Sequence, residues 1–273
     1  MRFFTLIVIN LLGLLSFSVL AQPPQTLVPI DPAINEVFQL ISSNEKVRGS
    51  LQLIEETEQE NVREQLRITE IPAPPFREEQ RAIYYLEQMR IRGLHDAYID
   101  AEGNVIGIRK GTGNGPTFLI AAHLDTVFPE DVDTTVELRG GRYYAPGIGD
   151  DTRGLAVLLS VINVLNESGI ETVGDIMFSG NVGEEGRGDL RGMKAIFRDH
   201  PEIDGFVSID GVQLRRITTA ATGSRRFEFH FKGPGGHSFG AFGMASAIPV
   251  SYTHLEPTRP LYISYAVFCL KKK

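Results

Sequence analysis

A short apolar run that stops on an imidazole sets the terms for this chain. Thr117-Phe118-Leu119-Ile120-Ala121-Ala122 leads directly into His123-Leu124-Asp125-Thr126. A run this short and this continuous reads as a strand buried on both faces, because a half-exposed strand would alternate. Residues two apart on a strand point to the same side, so His123 and Asp125 are delivered together. Three further acidic sites follow at the ends of apolar runs: Asp150-Asp151, Glu184-Glu185 and Asp210. One imidazole with several carboxylates at strand ends suits a hydrolytic metal centre.

Each of these sites also has an ordinary structural reading. His123 and Asp125 fit a strand-end histidine followed by an N-capping aspartate. Asp150 and Asp151, inside Pro146-Gly-Ile-Gly-Asp-Asp-Thr-Arg-Gly154, fit a helix N-cap. They equally fit a carboxylate that bridges two cations. Glu184 and Glu185, flanked by Gly183 and Gly186, fit a solvated acidic loop, or a pair in which one binds metal and the other moves a proton. Asp210, in Ser208-Ile-Asp-Gly211, fits a turn. The order of all four, each closing a predicted strand, favours the metal centre.

Around these sites strands alternate with helices. Strands are predicted at Asn104–Arg109, Phe118–Ala122, Asp175–Ser179 and Gly205–Ile209. Helices are predicted at Arg77–Gly93, Gly154–Leu165 and Arg191–Asp199. Pro32 to Leu66 reads as two helices parted near Ser42–Asn44, and Arg142–Ala145 as a short edge piece. This predicts an α/β fold, a mixed sheet with helices on both faces, its site at the strands' carboxyl ends. From Thr222 the pattern changes. Phe227, Phe229 and Phe231 alternate with polar residues through Lys232, as in a half-buried antiparallel strand. After the turn Gly233-Pro-Gly-Gly236, Ala241–Ile248 reads as the opening of a helix. The expected division is residues 22–222 for the sheet domain and 223–250 for the start of an α+β domain. Residues 251–273 keep no period and form an anomalous tail.

Composition narrows the class. The 273 residues are 42% hydrophobic and 22% charged, which is ordinary for a globular protein. A net charge of −7 gives no reason to expect nucleic acid as a partner. The single cysteine, Cys269, cannot form a disulfide within the chain. Met1-Arg2, the apolar run Phe3–Leu20 and Val19-Leu20-Ala21 read as a signal peptide over residues 1–21, cleaved before Gln22. The competing reading is a membrane anchor. With cleavage the product is secreted or periplasmic and has no membrane contact.

The ordered strings Ala122-His-Leu-Asp-Thr126, Gly149-Asp-Asp-Thr-Arg-Gly154, Gly183-Glu-Glu-Gly186, Ile209-Asp-Gly211 and Gly233-Pro-Gly-Gly-His-Ser238 resemble the M20 family of metallopeptidases. The resemblance runs from about Ile71 to Ile248. It implies a phosphorylase/hydrolase-like zinc exopeptidase domain followed by a lid that dimerises. It implies two Zn²⁺ ions, replaceable by Co²⁺ or Mn²⁺, that activate a shared water. His123 and Asp210 would bind one ion, Asp150 would bridge, and Glu185 would bind the other. Glu184 would be the general base, and Asp125 would orient His123. The Asp150–Asp151 peptide would be cis. His237 would steady the oxyanion, often in a partner subunit. The implied substrates are peptides or N-acyl amino acids, so an N-acyl amino acid deacylase shares the reading. The family's last histidine ligand follows its whole lid, and nothing after Ile248 matches that region. This implies a truncated or frame-shifted reading frame, with weak metal binding and little activity. An inactive fragment or binding protein is the alternative.

Overall fold

The computed structural model describes residues 30–211, 216–220, 223, 229–237 and 239–244. The chain divides into two compact units, Met1–Leu214 and Arg215–Lys273. The signal-peptide reading, residues 225–228 of the expected strand, residues 245–248 of the expected helix and the tail 251–273 lie outside the described residues. Residues 229–237 form neither helix nor strand, and 239–244 form turns and a bend. Among the described residues no helix is long and apolar enough to cross a membrane.

Four helices open the first unit. Helix α1, Pro32–Ser43, starts where Asp31 accepts from the Ala33 amide at 2.8 Å, with proline in its first turn. Asn44 caps α2, Glu45–Glu56, by accepting from the Lys46 and Val47 amides. The break near Ser42–Asn44 is therefore as predicted. A second break at Thr57 separates α3, Glu58–Thr69, giving three helices where two are expected. No apolar-pattern change marks Thr57. Its hydroxyl bonds back to the Leu53 carbonyl at 2.8 Å, a local competition with the helix ladder. Helix α4 spans Glu79–Ile91.

The main sheet has five strands: β1 Tyr98–Ile99, β2 Val105–Arg109, β3 Thr117–His123, β6 Ile176–Asn181 and β7 Ile203–Ser208. Their order is β1-β2-β6-β3-β7. β3 runs parallel to β6 and β7, while β1 and β2 pair antiparallel, so the sheet is mixed. The piece expected at Arg142–Ala145 is no edge of this sheet. β4, Glu137–Arg139, and β5, Arg142–Tyr144, form a separate hairpin whose residues are all exposed. Its apolar residues Leu138, Tyr143 and Tyr144 stay exposed and do not join the core.

Strand alternation sorts the core into two layers. Val105, Ile120, Ala122 and Phe178 face one side, against Ile68 of α3, Tyr85 and Met89 of α4, and Leu155, Leu158 and Ile162 of α5, Thr152–Glu167. Ile106, Leu119 and Met177 face the other, against Ile196 of α6, Arg191–Asp199. Helices thus cover both faces. Each fully buried Leu, Ile or Phe contributes about 1.5–3 kcal/mol of transfer free energy. The parallel strands β3, β6 and β7 end on the same side, in register from Ala121 with Ser179 and Ser208. That side receives His123, Glu184-Glu185 and Asp210.

Candidate metal centre

β3 leaves the sheet at His123, and every exit from it is tied down. The His123 amide donates to Asp151 Oδ2 at 3.0 Å, and the Leu124 amide donates to the Asn181 carbonyl at 2.7 Å. The Thr126 amide donates to the Ala73 carbonyl at 2.9 Å. The imidazole is 2% exposed. Its Nδ1 donates to the Asp125 carbonyl at 2.8 Å, and its Nε2 faces Asp150 Oδ1 at 2.9 Å. A carbonyl only accepts, so Nδ1 carries a proton, which leaves Nε2 as the nitrogen turned toward the carboxylate. Burial pulls this histidine down, but hydrogen bonds with Asp125 and Asp150 and the Asp151 charge outweigh it and push it up to about 11.

The two adjacent aspartates divide their work. Asp151, 1% exposed, caps α5 by accepting from the Gly154 amide at 3.1 Å. Burial raises its carboxyl to about 8, opposed by His123 and reinforced by Asp210 and Asp150. Asp150 faces His123 instead, and that hydrogen bond holds it below the ordinary carboxylate range. The peptide between them is cis. The helix-cap reading of the pair thus falls to Asp151, while Asp150 is the carboxylate that faces His123.

Asp125 meets His123, and its carbonyl and carboxylate divide the work. Its backbone carbonyl, not its carboxylate, orients His123; the nearest carboxylate oxygen is 3.7 Å from Nδ1. The fully buried carboxylate accepts instead from the Glu184 amide at 3.1 Å and the Glu185 amide at 2.8 Å. Burial pushes Asp125 up, and these bonds together with His123 bring it below its ordinary value. It therefore fastens the Gly183–Gly186 loop to the end of β3. Asn104 fastens the same loop behind, accepting from the Val182 amide at 3.0 Å and donating to the Gly192 carbonyl at 3.0 Å. Burial raises both Glu184 and Glu185, and neighbouring acids add to it.

His123, Asp150 and Glu185 each offer a ligand atom, and these atoms lie within 4.8 Å of one another. An imidazole and two carboxylates fit a divalent cation of the zinc type. The acids that raise His123 show the same demand for positive charge. Asp210 is exposed and outside this trio, though its charge raises both Glu184 and Asp151. His237 is an exposed residue of the second unit, its Nδ1 accepting from the Phe239 and Gly240 amides at 3.3 Å. The sequence reading passes over Arg81, a buried cation behind Leu124. Its signal was present: Arg81, Tyr85 and Met89 form one helical stripe, and an arginine on an apolar stripe needs a partner.

Residues 119–240 match the peptidase family M20/M25/M40. A LysW-lysine/LysW-ornithine hydrolase of Pyrococcus abyssi is 33% identical over 135 residues, covering 50% of this chain and 36% of that protein. Carboxypeptidase G2 of a Pseudomonas species is 32% identical over 106 residues, covering 38% of this chain and 25% of that protein. The chain thus spans about a third or less of these relatives' length. In fold, the di-peptidase Dug1p of Saccharomyces cerevisiae superposes with a TM-score of 0.58 at 15% identity, covering 76% of this chain and 51% of that one. The stretch that brings His123, Asp150, Glu184, Glu185 and Asp210 to one end of the sheet lies within the residues that match the peptidase family M20/M25/M40.

Proposed function

We propose that this chain is the metal-dependent catalytic part of a hydrolase of peptide or amide bonds. The observation that carries this is the trio His123, Asp150 and Glu185, with ligand atoms within 4.8 Å, beside the half-buried Glu184. The trio would hold the ion. A bound Zn²⁺ would supply polarisation of the scissile carbonyl and acidification of water. Glu184 takes the proton from the attacking water and returns it to the leaving amine. Burial raises its pKa, the direction that suits a group that must both accept and release a proton. Asp125 holds both loop amides, so the Glu184 and Glu185 backbones stay fixed while the Glu184 carboxylate works.

A second ion, with Asp150 between the two and Asp210 toward the other, is the finer form of this reading. His237 as oxyanion donor belongs to the same form. The names of the relatives, a carboxypeptidase and a LysW-lysine/LysW-ornithine hydrolase, support a peptide or N-acyl amino acid substrate. The apolar run Phe3–Leu20 supports export.

The test is zinc stoichiometry by mass spectrometry, with hydrolysis of a dipeptide and N-acyl amino acid panel and Glu184→Ala as control. Bound zinc and turnover lost in the variant support the hydrolase. One ion bound without turnover supports a binding role, which the single three-residue group among the described residues favours. A folded chain that binds no metal overturns the proposal.

A further inference from the structure

Arg81 is 1% exposed on α4 and has no carboxylate partner among its hydrogen bonds. Its Nη1 donates to the Leu124 carbonyl at 2.7 Å, and its Nε and Nη2 both donate to the Ile71 carbonyl, at 2.9 and 2.5 Å. A buried charge is costly to keep, and carbonyls repay it less well than an ion pair. Burial accordingly lowers its pKa to about 10, with Asp125 pulling the other way. An apolar side chain would fill the space at lower cost. What it could not do is reach two carbonyls on two segments with one rigid fork.

The place it reaches is decisive. The Leu124 carbonyl and the Asp125 amide belong to one planar unit, so fixing that oxygen fixes the plane from which the Asp125 backbone departs. Asp125 then does two things: its carbonyl receives the His123 Nδ1 proton, and its carboxylate receives the Glu184 and Glu185 amides. The other arm of the fork ties the same unit to the Ile71–Ala73 segment, whose Ala73 carbonyl accepts from Thr126.

We propose that Arg81 is a positioning residue of the metal centre, holding the Leu124–Asp125 peptide so that His123 and the Glu184-Glu185 loop keep one geometry. This rests on the metal-site reading above. It assigns Arg81 no contact with ion or substrate.

The experiment compares Arg81→Lys and Arg81→Met with Arg90→Lys and Arg90→Met. Arg90 lies on the same helix and likewise donates to a carbonyl, that of Ala97, away from the centre. Apo protein is titrated with zinc against a chromophoric chelator, and hydrogen exchange is followed at the peptide over residues 183–187. Outer partners of metal ligands typically hold about 10–100-fold in metal affinity. Both Arg81 variants should lose zinc affinity by about that factor and speed exchange over 183–187, with substrate KM little changed where turnover is measurable. Lysine keeps the charge but reaches one carbonyl, so it should recover thermal stability without recovering zinc affinity. The Arg90 variants should leave both readouts at wild-type values. Wild-type zinc affinity and exchange in Arg81→Lys overturn the proposal. So does failure of both Arg81 variants to fold while the Arg90 variants fold, which makes Arg81 purely structural. A wild-type chain that binds no zinc overturns the metal-site reading itself.

Discussion

The His123 ring and the Asp150 carboxylate, 2.9 Å apart, join a side chain 2% exposed to one 56% exposed. The contact spans the boundary between the core and the solvent. From the core side it is fixed by the strand; from the solvent side it is open to a proton or a cation. A cation bound there would compete with that proton for one place, so its binding would depend on pH.

In metal-free protein His123 is raised from 6.5 to about 11 and Asp151 from 3.8 to about 8. Each holds in the folded state a proton that the unfolded chain releases. That contribution is present below the unfolded value and lost as pH rises to the folded one. Thermal stability in EDTA should therefore fall as pH rises from about 6.5 to 9, by at most about 1.4 kcal/mol per pH unit for each such proton. With zinc bound the ring proton is displaced, and the slope should flatten. Melting curves with and without zinc check this; a midpoint in EDTA that rises over that range would count against it.

Glu184→Gln should abolish turnover and spare the metal. The amide keeps the volume and the backbone bond to Asp125 but accepts no proton. The expected loss is about 10²–10⁴-fold in kcat. Zinc affinity should stay near wild type, since Glu184 is outside the ligand trio. Steady-state kinetics beside a zinc titration separates the two.

Asp125→Asn removes one of two acceptor oxygens. Either the Glu184 or the Glu185 amide then faces an NH₂ group in a fully buried place. An unsatisfied buried donor costs about 1–3 kcal/mol. Urea unfolding of the metal-free protein should show that loss, and an unchanged midpoint would sink the assigned role.

Gly183→Ala strains the same loop from its other end. Gly183 has φ +69°, and an added Cβ would meet Arg191 Nη1. That arginine pairs with Glu78 at 2.8 Å and lies over the Phe76 ring at 4.6 Å. The left-handed backbone alone costs about 1–2 kcal/mol, and displacement of Arg191 adds to it. Thermal unfolding should register a drop of at least this size. A variant as stable as wild type would show that the loop relaxes freely.

Local chemistry made much of the fold legible. The continuous run Thr117–Ala122 gave β3 because only a strand covered on both faces is apolar throughout, and Leu119 and Ile120 do face opposite layers. The Asp-Thr-Arg-Gly start of α5 was legible from its cap. What stayed hidden depends on distant pairing. Nothing within Val105–Arg109 says that β2 runs antiparallel to β6, or that β4 and β5 pair only with each other. Nor does residue type say which of two neighbouring aspartates caps a helix and which faces a histidine. The spacing of His123 and Asp125 puts them on one side of the strand, but it does not say that loop amides far along the chain claim the Asp125 carboxylate.

The order β1-β2-β6-β3-β7 bears on when the centre can exist during synthesis. β3 has no partner near it in the chain; one edge waits for Ile176–Asn181 and the other for Ile203–Ser208. Closing such long loops is slow, because the entropy is lost before any pairing is gained. As the chain emerges, the helices before β3 can form at once, but His123 has no fixed place until β6 has been made. Glu185 follows β6 within a few residues, so the strand that anchors His123 and the loop that brings Glu185 arrive as one event. On the metal-site proposal, a cation would find its ligands together only once the sheet's parallel core is complete.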